Sequence, residues 1–228
     1  MIKFVFLDLD ETLFDFKRSE AEALRATFEH VGIPCNAQIE QRYSEINLSQ
    51  WKLLERGVLT RAEIKLRRFQ ILFEELGVAC DAEAARAYYE DKMSRSCFLI
   101  DGAEELLRAL YGKYRLYVAS NATAAVQVGR IAKVGIAHYF DDIFLSEQIG
   151  ADKPQKAFFD GCFARIPDFD RSAAILLGDS LTSDILGGIN AGILTCHYNP
   201  SANPPHATIH PDFEISSLEK FPHLLEKL

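Results

Sequence analysis

Cysteine is scarce in this chain of 228 residues, and the arrangement of the few cysteines excludes two kinds of structure. The five thiols are odd in number, widely spaced and never arranged as Cys-x-x-Cys, so the sequence predicts neither a disulfide framework nor a zinc site. Unpaired thiols are typical of a reducing compartment. We therefore expect the protein in the cytoplasm.

Long hydrophobic runs are missing as well. No stretch approaches the roughly 18 apolar residues that a membrane-spanning helix requires. The apolar run at residues 2–7 is shorter than the apolar region of a signal peptide. The sequence therefore predicts neither membrane insertion nor secretion.

Positively charged residues are also few relative to negatively charged ones. The chain has 25 Lys and Arg residues and 33 Asp and Glu residues, which gives a formal net charge of -8. Nucleic-acid-binding proteins usually present a basic face that displaces counterions from phosphates. We therefore expect no nucleic-acid partner. One phosphate group in a pocket stays compatible with this charge, so the expected partner is a small phosphorylated metabolite. The oligomeric state is left open.

Short apolar runs, separated by helical patterns at residues 103–111, 124–134, 155–164 and 181–191, indicate the fold. The apolar runs cover residues 2–7, 114–120, 143–146, 173–178 and 193–198, with a further short run at 213–215. Continuous apolar runs fit strands that are covered on both faces, and strands that alternate with helices form a parallel sheet. The sequence predicts an α/β fold with a parallel sheet and helices on both faces.

Residues 17–95 break this alternation and show almost no strand signal. Apolar residues recur there at helical spacing, as at Leu66, Phe69, Leu72, Phe73 and Leu76. Thr60 and Glu63 form a capping-box pattern, which marks the start of a helix. Glycines fall where helices would end, at Gly32, Gly57 and Gly77. We predict an inserted domain of four helices at 17–95, with 1–16 and 96–228 as the core domain.

Four elements with polar side chains follow predicted strands. They are Asp8-Leu9-Asp10-Glu11-Thr12, Ser120-Asn121, Lys153-Pro154, and Gly178-Asp179-Ser180 followed by Asp184. Each alone is common in turns and helix caps. In an open parallel sheet, however, ligands bind at the carboxyl ends of the strands, so we expect these side chains to meet there. Converging carboxylates repel each other by on the order of a few kcal/mol per close pair, which implies a cation.

The order and context of these elements resemble the haloacid dehalogenase superfamily of phosphohydrolases, and the resemblance covers nearly the whole chain. It implies a Rossmann-like core with a helical cap inserted just after the first element, in agreement with the helical pattern at 17–95. It also implies that Asp8 is the nucleophile and forms an aspartyl-phosphate. Asp10 would protonate the leaving oxygen and then take a proton from the hydrolytic water.

Magnesium is the cofactor that the acidic residues predict, because carboxylate, carbonyl and water oxygens are its preferred ligands. Asp8, the backbone carbonyl of Asp10, and Asp179 would hold the ion. Asp184 would orient metal-bound water. The ion would let an anionic carboxylate approach an anionic phosphate.

The remaining polar residues fit the needs of phosphoryl transfer, which are positioning and neutralisation of charge. Ser120 and backbone N–H groups near Leu9, Asp10 and Asn121 would bind phosphate oxygens. Lys153 would neutralise Asp8 and the transferred group. Thr12 fits a hydrogen bond to the nucleophile or its loop and, equally, an ordinary helix cap or turn.

Two positions in the first element indicate a subgroup. The haloacid dehalogenases of this superfamily lack an aspartate at the position of Asp10, because carbon–halogen hydrolysis has no alkoxide to protonate. Glu11 replaces a glycine common in phosphoglycolate phosphatases and sugar phosphate mutases, and the whole element looks more like the pyrimidine 5'-nucleotidases. The resemblance implies nucleoside 5'-monophosphate substrates. The alternatives are a phosphatase or mutase for sugar phosphates or phosphoglycolate, a haloacid dehalogenase and a noncatalytic phosphate-binding protein.

The helical stretch contains two candidates for contact with the substrate. Trp51 fits either stacking on a base or packing within the cap. Arg68 fits either a substrate contact or a salt bridge on a helix. Phe14 and Phe16, which precede the helical stretch, could either line a nucleoside pocket or pack in the hinge between the two domains.

Overall fold

Six parallel strands form one sheet in the computed structural model, which describes residues 1–228. The strands are β1 (Phe4–Leu7), β2 (Arg115–Ser120), β3 (Asp142–Leu145), β4 (Ala174–Gly178), β5 (Leu194–Tyr198) and β6 (Phe213–Ile215), in the spatial order β3-β2-β1-β4-β5-β6. Every neighbouring pair is parallel. All of β1 is buried, as expected for a strand covered on both faces. The predicted fold class is confirmed.

Helices cover both faces of this sheet. They are α1 (Phe16–His30), α2 (Ala37–Glu55), α3 (Arg61–Leu76), α4 (Ala82–Arg95), α5 (Ala103–Leu110), α6 (Ala124–Val134), α7 (Ser146–Ile149), α8 (Lys156–Phe163), α9 (Leu186–Ala191) and α10 (Lys220–Leu225). Because side chains alternate across a strand, Val5 and Leu7 pack with α5 and α10, whereas Phe4 and Phe6 pack with α8. None of the helices combines the length and the apolar character that crossing a membrane would take.

Two local features differ from the sequence prediction. The strand predicted at 143–146 ends at Leu145, and the one-turn helix α7 begins at Ser146. The helix predicted at 181–191 begins as a wider π turn, Leu181–Ile185, before α9. In this turn the Ser180 carbonyl accepts hydrogen bonds from the N–H groups of both Asp184 and Ile185. The turn therefore keeps Asp184 close to the end of β4.

The helices α1 to α4 occupy the stretch in which the strand pattern breaks, and their number agrees with the prediction. Each begins at a side chain that accepts hydrogen bonds from its first turn, namely Asp15, Asn36, Thr60 and Asp81. The capping box of Thr60 and Glu63 is present. The apolar faces of the four helices form a hydrophobic cluster of their own, separate from the two clusters on the sheet.

Two segments connect these helices to the sheet, and they lie side by side. The Asp15 N–H donates to the Phe98 carbonyl at 2.9 Å, and the Ile100 N–H donates to the Leu13 carbonyl at 2.9 Å. Phe14 lies between these bonds and is fully buried. The helical stretch is therefore attached through a hydrogen-bonded double connection close to the end of β1.

Candidate active site

Polar side chains from four parts of the chain meet at the carboxyl edge of the sheet. Asp8 follows β1, Ser120 ends β2, Lys153 follows α7, and Asp179 follows β4. They line a cavity of about 200 Å³ that residues of α2, α3 and α4 close from the other side. Further lining residues are Asp10, Asn121, Asp184, Trp51 and Arg68. Of the residues that the sequence offers for the site, Thr12 and Phe14 lie outside the cavity wall, whereas Phe16 is part of it.

The ammonium group of Lys153 lies at the centre of the site, with a side chain that is only 1% exposed. Its Nζ donates to Asp8 Oδ1 at 2.7 Å, to Asp184 Oδ1 at 2.6 Å and to the Ala119 carbonyl at 2.5 Å. Burial opposes the charged form, but attraction to Asp184 and Asp8 outweighs it and raises the pKa of Lys153. Lys153 is therefore a fixed positive charge against Asp8.

Asp8, Asp179 and Asp184 form a carboxylate cluster whose ligand atoms lie within 4.8 Å of one another. Burial and then the charge of Asp184 raise the pKa of Asp8 from 3.8 to about 7, and the same two causes raise the pKa of Asp179 well above its ordinary value. Lys153 offsets only part of this negative charge. Because the cluster offers only oxygen ligands, it fits a magnesium ion.

Gly178 explains how Asp184 reaches the cluster. A Cβ atom on Gly178 would lie 2.3 Å from Asp184 Cγ, so any other residue would displace the carboxylate. Asp184 Oδ2 accepts a hydrogen bond from the Ser180 N–H at 3.0 Å, while Oδ1 accepts one from Lys153. Both oxygens are thereby fixed, so Asp184 also fixes the position of Lys153.

The side chain of Asn121 is engaged with the backbone of Lys153. Its Nδ2 donates to the Lys153 carbonyl at 2.8 Å, and its Oδ1 accepts from the Lys153 N–H at 2.8 Å. Nδ2 also lies 3.2 Å from Ser183 Oγ. The amide group of Asn121 therefore orients the lysine, and only its backbone N–H is left for the phosphate contact that the sequence predicts near this residue.

Asp10 has two partners that the sequence analysis missed. Arg130 on α6 donates from Nη1 to Asp10 Oδ1, and Gln127 donates from Nε2 to Asp10 Oδ2 at 3.0 Å. Gln127 Nε2 also lies 3.1 Å from Ser120 Oγ. Both partners are buried. The available signal was a polar pair three residues apart in an otherwise largely apolar helix.

Glu11 and Thr12 hold the loop that carries the two aspartates. Glu11 adopts a left-handed backbone conformation with φ 59°, which costs a non-glycine residue about 1–2 kcal/mol. Its carboxylate accepts from the Lys17 N–H at 3.0 Å and contacts Lys17 Nζ at 3.0 Å. Thr12 is fully buried, and its hydroxyl donates to Asp8 Oδ2 at 3.4 Å. Thr12 therefore contacts Asp8 from outside the cavity wall.

Trp51 and Arg68 belong to the wall that the helices contribute to the cavity. The guanidinium group of Arg61 lies 5.4 Å from the centre of the Trp51 ring. Arg68 is buried, donates from Nη1 to Asn47 Oδ1 at 2.9 Å and lies 4.8 Å from the centre of the Tyr89 ring. Neighbours within α2 to α4 thus hold Arg68, which fits a cavity wall of fixed shape.

Three contacts at the rim join the helices to the sheet side of the cavity. Arg61 forms an ion pair with Asp152 and a hydrogen bond to Ser146 Oγ. Thr182 donates from Oγ1 to Glu55 Oε2 at 3.0 Å. These contacts hold the helices over the carboxylate cluster from two sides.

Comparison with known proteins connects the whole chain to one group of hydrolases. The profile of the haloacid dehalogenase-like hydrolase family matches residues 5–197. The chain is 38% identical over 221 residues to the HAD-hydrolase YfnB of Bacillus subtilis (strain 168). The aligned residues cover 97% of this chain and 94% of YfnB. The crystal structure of YfnB bound to magnesium, reported to reveal interdomain movement, matches with a TM-score of 0.94, 37% identity and 98% coverage of both chains.

Two further relatives are nucleotidases. The pyrimidine 5'-nucleotidase PynA of Streptococcus pneumoniae (strain ATCC BAA-255 / R6) is 34% identical over 226 residues, which cover 99% of this chain and 95% of PynA. The pyrimidine 5'-nucleotidase YjjG of Escherichia coli (strain K12) is 32% identical over 223 residues, which cover 98% of this chain and 97% of YjjG. The similarity therefore extends over both the sheet and the inserted helices.

Proposed function

Since the chain belongs to the haloacid dehalogenase-like hydrolases, we propose that it is a Mg²⁺-dependent phosphatase that acts on nucleoside 5'-monophosphates. The observation that carries this proposal is the contact of Lys153 Nζ with both Asp8 and Asp184, beside Asp179. Attack on an anionic phosphate requires a nucleophile whose charge is offset by a fixed cation. Asp8 is such a nucleophile, and the ammonium group of Lys153 is the fixed cation.

In the first step, an oxygen of the Asp8 carboxylate attacks phosphorus, and the bond between phosphorus and the ester oxygen breaks. Asp10 gives its proton to the leaving oxygen, so the nucleoside departs as an alcohol and the phosphoryl group stays on Asp8. Lys153 and the Ser120 hydroxyl bind the oxygens of the transferred group.

In the second step, Asp10 takes a proton from water, and the water oxygen attacks the phosphorus of the aspartyl-phosphate. The bond between this phosphorus and the Asp8 oxygen breaks, which releases inorganic phosphate and restores the carboxylate. Asp10 is then protonated again, so both groups return to their starting state.

Magnesium would be held by Asp8, Asp179 and the backbone carbonyl of Asp10. Asp184 would lie next to these ligands and hold Lys153 in place. When bound, the ion would reduce the repulsion between the carboxylate and the phosphate. The oxygen-only donor set and the excess of negative charge around Lys153 support this assignment.

The helices at 17–95 would form a cap domain on the core of 1–16 and 96–228. The double connection at Leu13 and Phe98, together with the rim contacts of Arg61, fits a cap that opens to admit substrate and closes for reaction. Closure would exclude water other than the hydrolytic molecule.

A nucleoside substrate is favoured by two observations. PynA and YjjG, both named as pyrimidine 5'-nucleotidases, are similar to this chain along its whole length, including the cap. The cavity wall opposite Asp8 contains the Trp51 ring, which can stack on a base, and the buried guanidinium of Arg68.

A panel of phosphomonoesters tests the substrate class. With Mg²⁺, we expect kcat/KM for nucleoside 5'-monophosphates to exceed that for sugar phosphates and phosphoglycolate by at least about tenfold, equivalent to about 1.4 kcal/mol. Trp51→Leu should raise KM for nucleotides and leave the rates with p-nitrophenyl phosphate nearly unchanged. A strong preference for one sugar phosphate, with weak and uniform rates on nucleotides, would contradict the nucleotidase assignment.

Removal of magnesium tests the cofactor. With excess EDTA, we expect hydrolysis to stop and to return when Mg²⁺ is added in excess. Mg²⁺ at about 100 times its dissociation constant should stabilise the protein by about 2.7 kcal/mol, which raises Tm by about 5–10 °C. Hydrolysis that continues unchanged in EDTA would contradict the metal assignment.

The pH dependence of this stabilisation has a definite sign. The pKa of Asp8 is about 7 in the folded protein against an ordinary value of 3.8, so the folded state binds more protons between these values. The metal-free protein should therefore lose stability as the pH rises from about 4 to about 7. Because Mg²⁺ competes with these protons, its effect on Tm should grow over the same range. Thermal unfolding with EDTA and with Mg²⁺ at several pH values measures both trends.

A further inference from the structure

Arg130 is a charged side chain whose burial is not explained by the roles assigned so far. It projects from α6, it is 1% exposed, and its Nε and Nη2 have no hydrogen-bond partner. Buried polar atoms without partners are rare in folded proteins, and each one requires a reason. The remaining nitrogen, Nη1, contacts Asp10 Oδ1 and Gln127 Oε1.

The contacts of Arg130 and Gln127 fix both oxygens of the Asp10 carboxylate. Arg130 binds Oδ1, and Gln127 binds Oδ2 at 3.0 Å. Arg130 also orients Gln127, because Nη1 donates to Gln127 Oε1 at 3.1 Å. Gln127 Nε2 lies 3.1 Å from Ser120 Oγ, so the same network links Asp10 to the phosphate-binding side of the cavity.

The surroundings of Arg130 fix the guanidinium group in turn. Its Cζ lies 4.9 Å from the ring centre of Phe14, just before α1, and 5.7 Å from that of Phe16, the first residue of α1. Helix α6 also packs directly on α4, because a Cβ atom on Gly129 would lie 2.5 Å from the Ser94 carbonyl oxygen. Arg130 is therefore held between Asp10 and the connection to the helical stretch.

We propose that Arg130, together with Gln127, is a positioning residue that holds the Asp10 carboxylate where it exchanges protons with the leaving oxygen and with water. A general acid or base must lie within hydrogen-bond distance of the atom that it protonates or deprotonates. Asp10 follows the strand and is itself partly exposed, so its side chain needs partners to stay at one place in the cavity. The inference rests on the proposed function, since it assigns no separate reaction.

A double-mutant cycle with Asp10 separates this role from a general effect on folding. Arg130→Met should lower kcat for a nucleoside 5'-monophosphate by about 100-fold, the lower end of the usual contribution of general acid–base catalysis. KM should change by less than about threefold, because the proposed role of Arg130 is to hold Asp10 and Gln127. Arg130 also lines the cavity, so a larger rise in KM with kcat unchanged would overturn the proposal and assign Arg130 to substrate binding. In the Asp10→Asn background, Arg130→Met should lower kcat by less than about threefold, because the group that Arg130 positions is already disabled. If Arg130→Met lowers kcat by the same factor in the wild type and in the Asp10→Asn background, the two residues act independently and the proposal is wrong.

Two further variants complete the kinetic test. Lys133→Met removes an exposed positive charge from the same helix and should leave kcat unchanged within about twofold. If Arg130→Met does not fold, Arg130→Lys replaces it in the same cycle. Lysine keeps the charge, but its ammonium nitrogen lies one bond nearer to the backbone than Nη1, the single nitrogen that contacts both Asp10 and Gln127. The effect of Arg130→Lys should therefore also disappear in the Asp10→Asn background.

Crystal structures of the wild type and of Arg130→Met, or of Arg130→Lys in its place, give a readout that does not depend on activity. We expect the Asp10 carboxylate to leave Gln127 in the variant, and an unchanged position would overturn the proposal. If the wild type hydrolyses no phosphomonoester with Mg²⁺, the proposed function fails, and the position of Asp10 in the variant still decides whether Arg130 holds it.

Discussion

Replacement of Asp8 by asparagine is expected to lower kcat by at least about 10⁴-fold, with the fold intact. An amide is a poor nucleophile towards phosphorus, and loss of the attacking group in a hydrolase with a covalent intermediate removes most of the rate enhancement. The position of Asp8 makes the substitution informative, because Lys153 keeps Asp184 as a second partner for its ammonium group. Steady-state and single-turnover assays at high enzyme concentration would measure the remaining rate.

The stability of the Asp8→Asn variant distinguishes loss of the nucleophile from loss of the fold. Burial and the charge of Asp184 raise the pKa of Asp8, so its ionised form is unfavourable in the metal-free protein. A neutral amide avoids this penalty, and the variant should unfold in EDTA at a Tm equal to or above that of the wild type. Its metal-free stability should also depend less on pH between about 4 and 7.

A matched control is Asp141→Asn, which makes the same chemical change just before β3, at the opposite edge of the sheet. Asp141 contacts Arg115, its side chain is 46% exposed, and it should tolerate the change with less than a twofold effect on kcat. Substantial turnover by Asp8→Asn, with normal folding, would remove Asp8 from the role of nucleophile.

The sheet was predictable because its signal is local. Each strand is a short apolar run, and the burial of all of β1 agrees with the continuous apolar pattern at residues 2–7. The polar elements that follow the strands could be placed together because parallel strands end at the same edge. Asp8, Ser120 and Asp179 depend only on that rule, and the structure places all three in one cavity.

The partners of Asp10 could not be predicted in this way. Gln127 and Arg130 lie 117 and 120 residues further along the chain, in the middle of a helix rather than at a strand end. Their contact with Asp10 depends on the rotation of α6 about its axis and on its packing against α4. A local sequence pattern predicts neither of these. A buried polar pair on an apolar helix shows that a partner exists without showing which one.

Asn121 and Thr12 show a second limit. The sequence predicts that both belong to the site, but it cannot distinguish contact with the substrate from contact with another site residue. The Asn121 amide binds the backbone of Lys153, and the Thr12 hydroxyl binds Asp8. Because a polar side chain near a strand end can serve either purpose, only the distances between atoms decide between them.

Replacement of Lys153 by methionine is expected to lower kcat by about 10³-fold and to destabilise the metal-free protein. The ammonium group is the fixed positive charge between Asp8 and Asp184, and loss of one such electrostatic group usually costs 100- to 1,000-fold or about 2.7–4 kcal/mol of transition-state stabilisation. Lys156→Met is the control, because Lys156 is exposed and pairs only with Asp160 one helical turn away. It should change kcat by less than about twofold.

The stability of Lys153→Met should be opposite in sign to that of Asp8→Asn. Without the lysine, the buried carboxylates of Asp8 and Asp184 lose their partner, and the pKa of Asp8 rises further, so Asp8 takes up a proton. Loss of the buried pairing should cost up to about 3–5 kcal/mol in EDTA and lower Tm by up to about 6–20 °C. Mg²⁺ should restore part of this loss, because the ion would offset the negative charge of the same carboxylates. Thermal unfolding with EDTA and with Mg²⁺ measures both effects. A Lys153→Met variant that keeps more than a tenth of the wild-type kcat, or that is as stable in EDTA as the wild type, would show that the carboxylates do not depend on this charge.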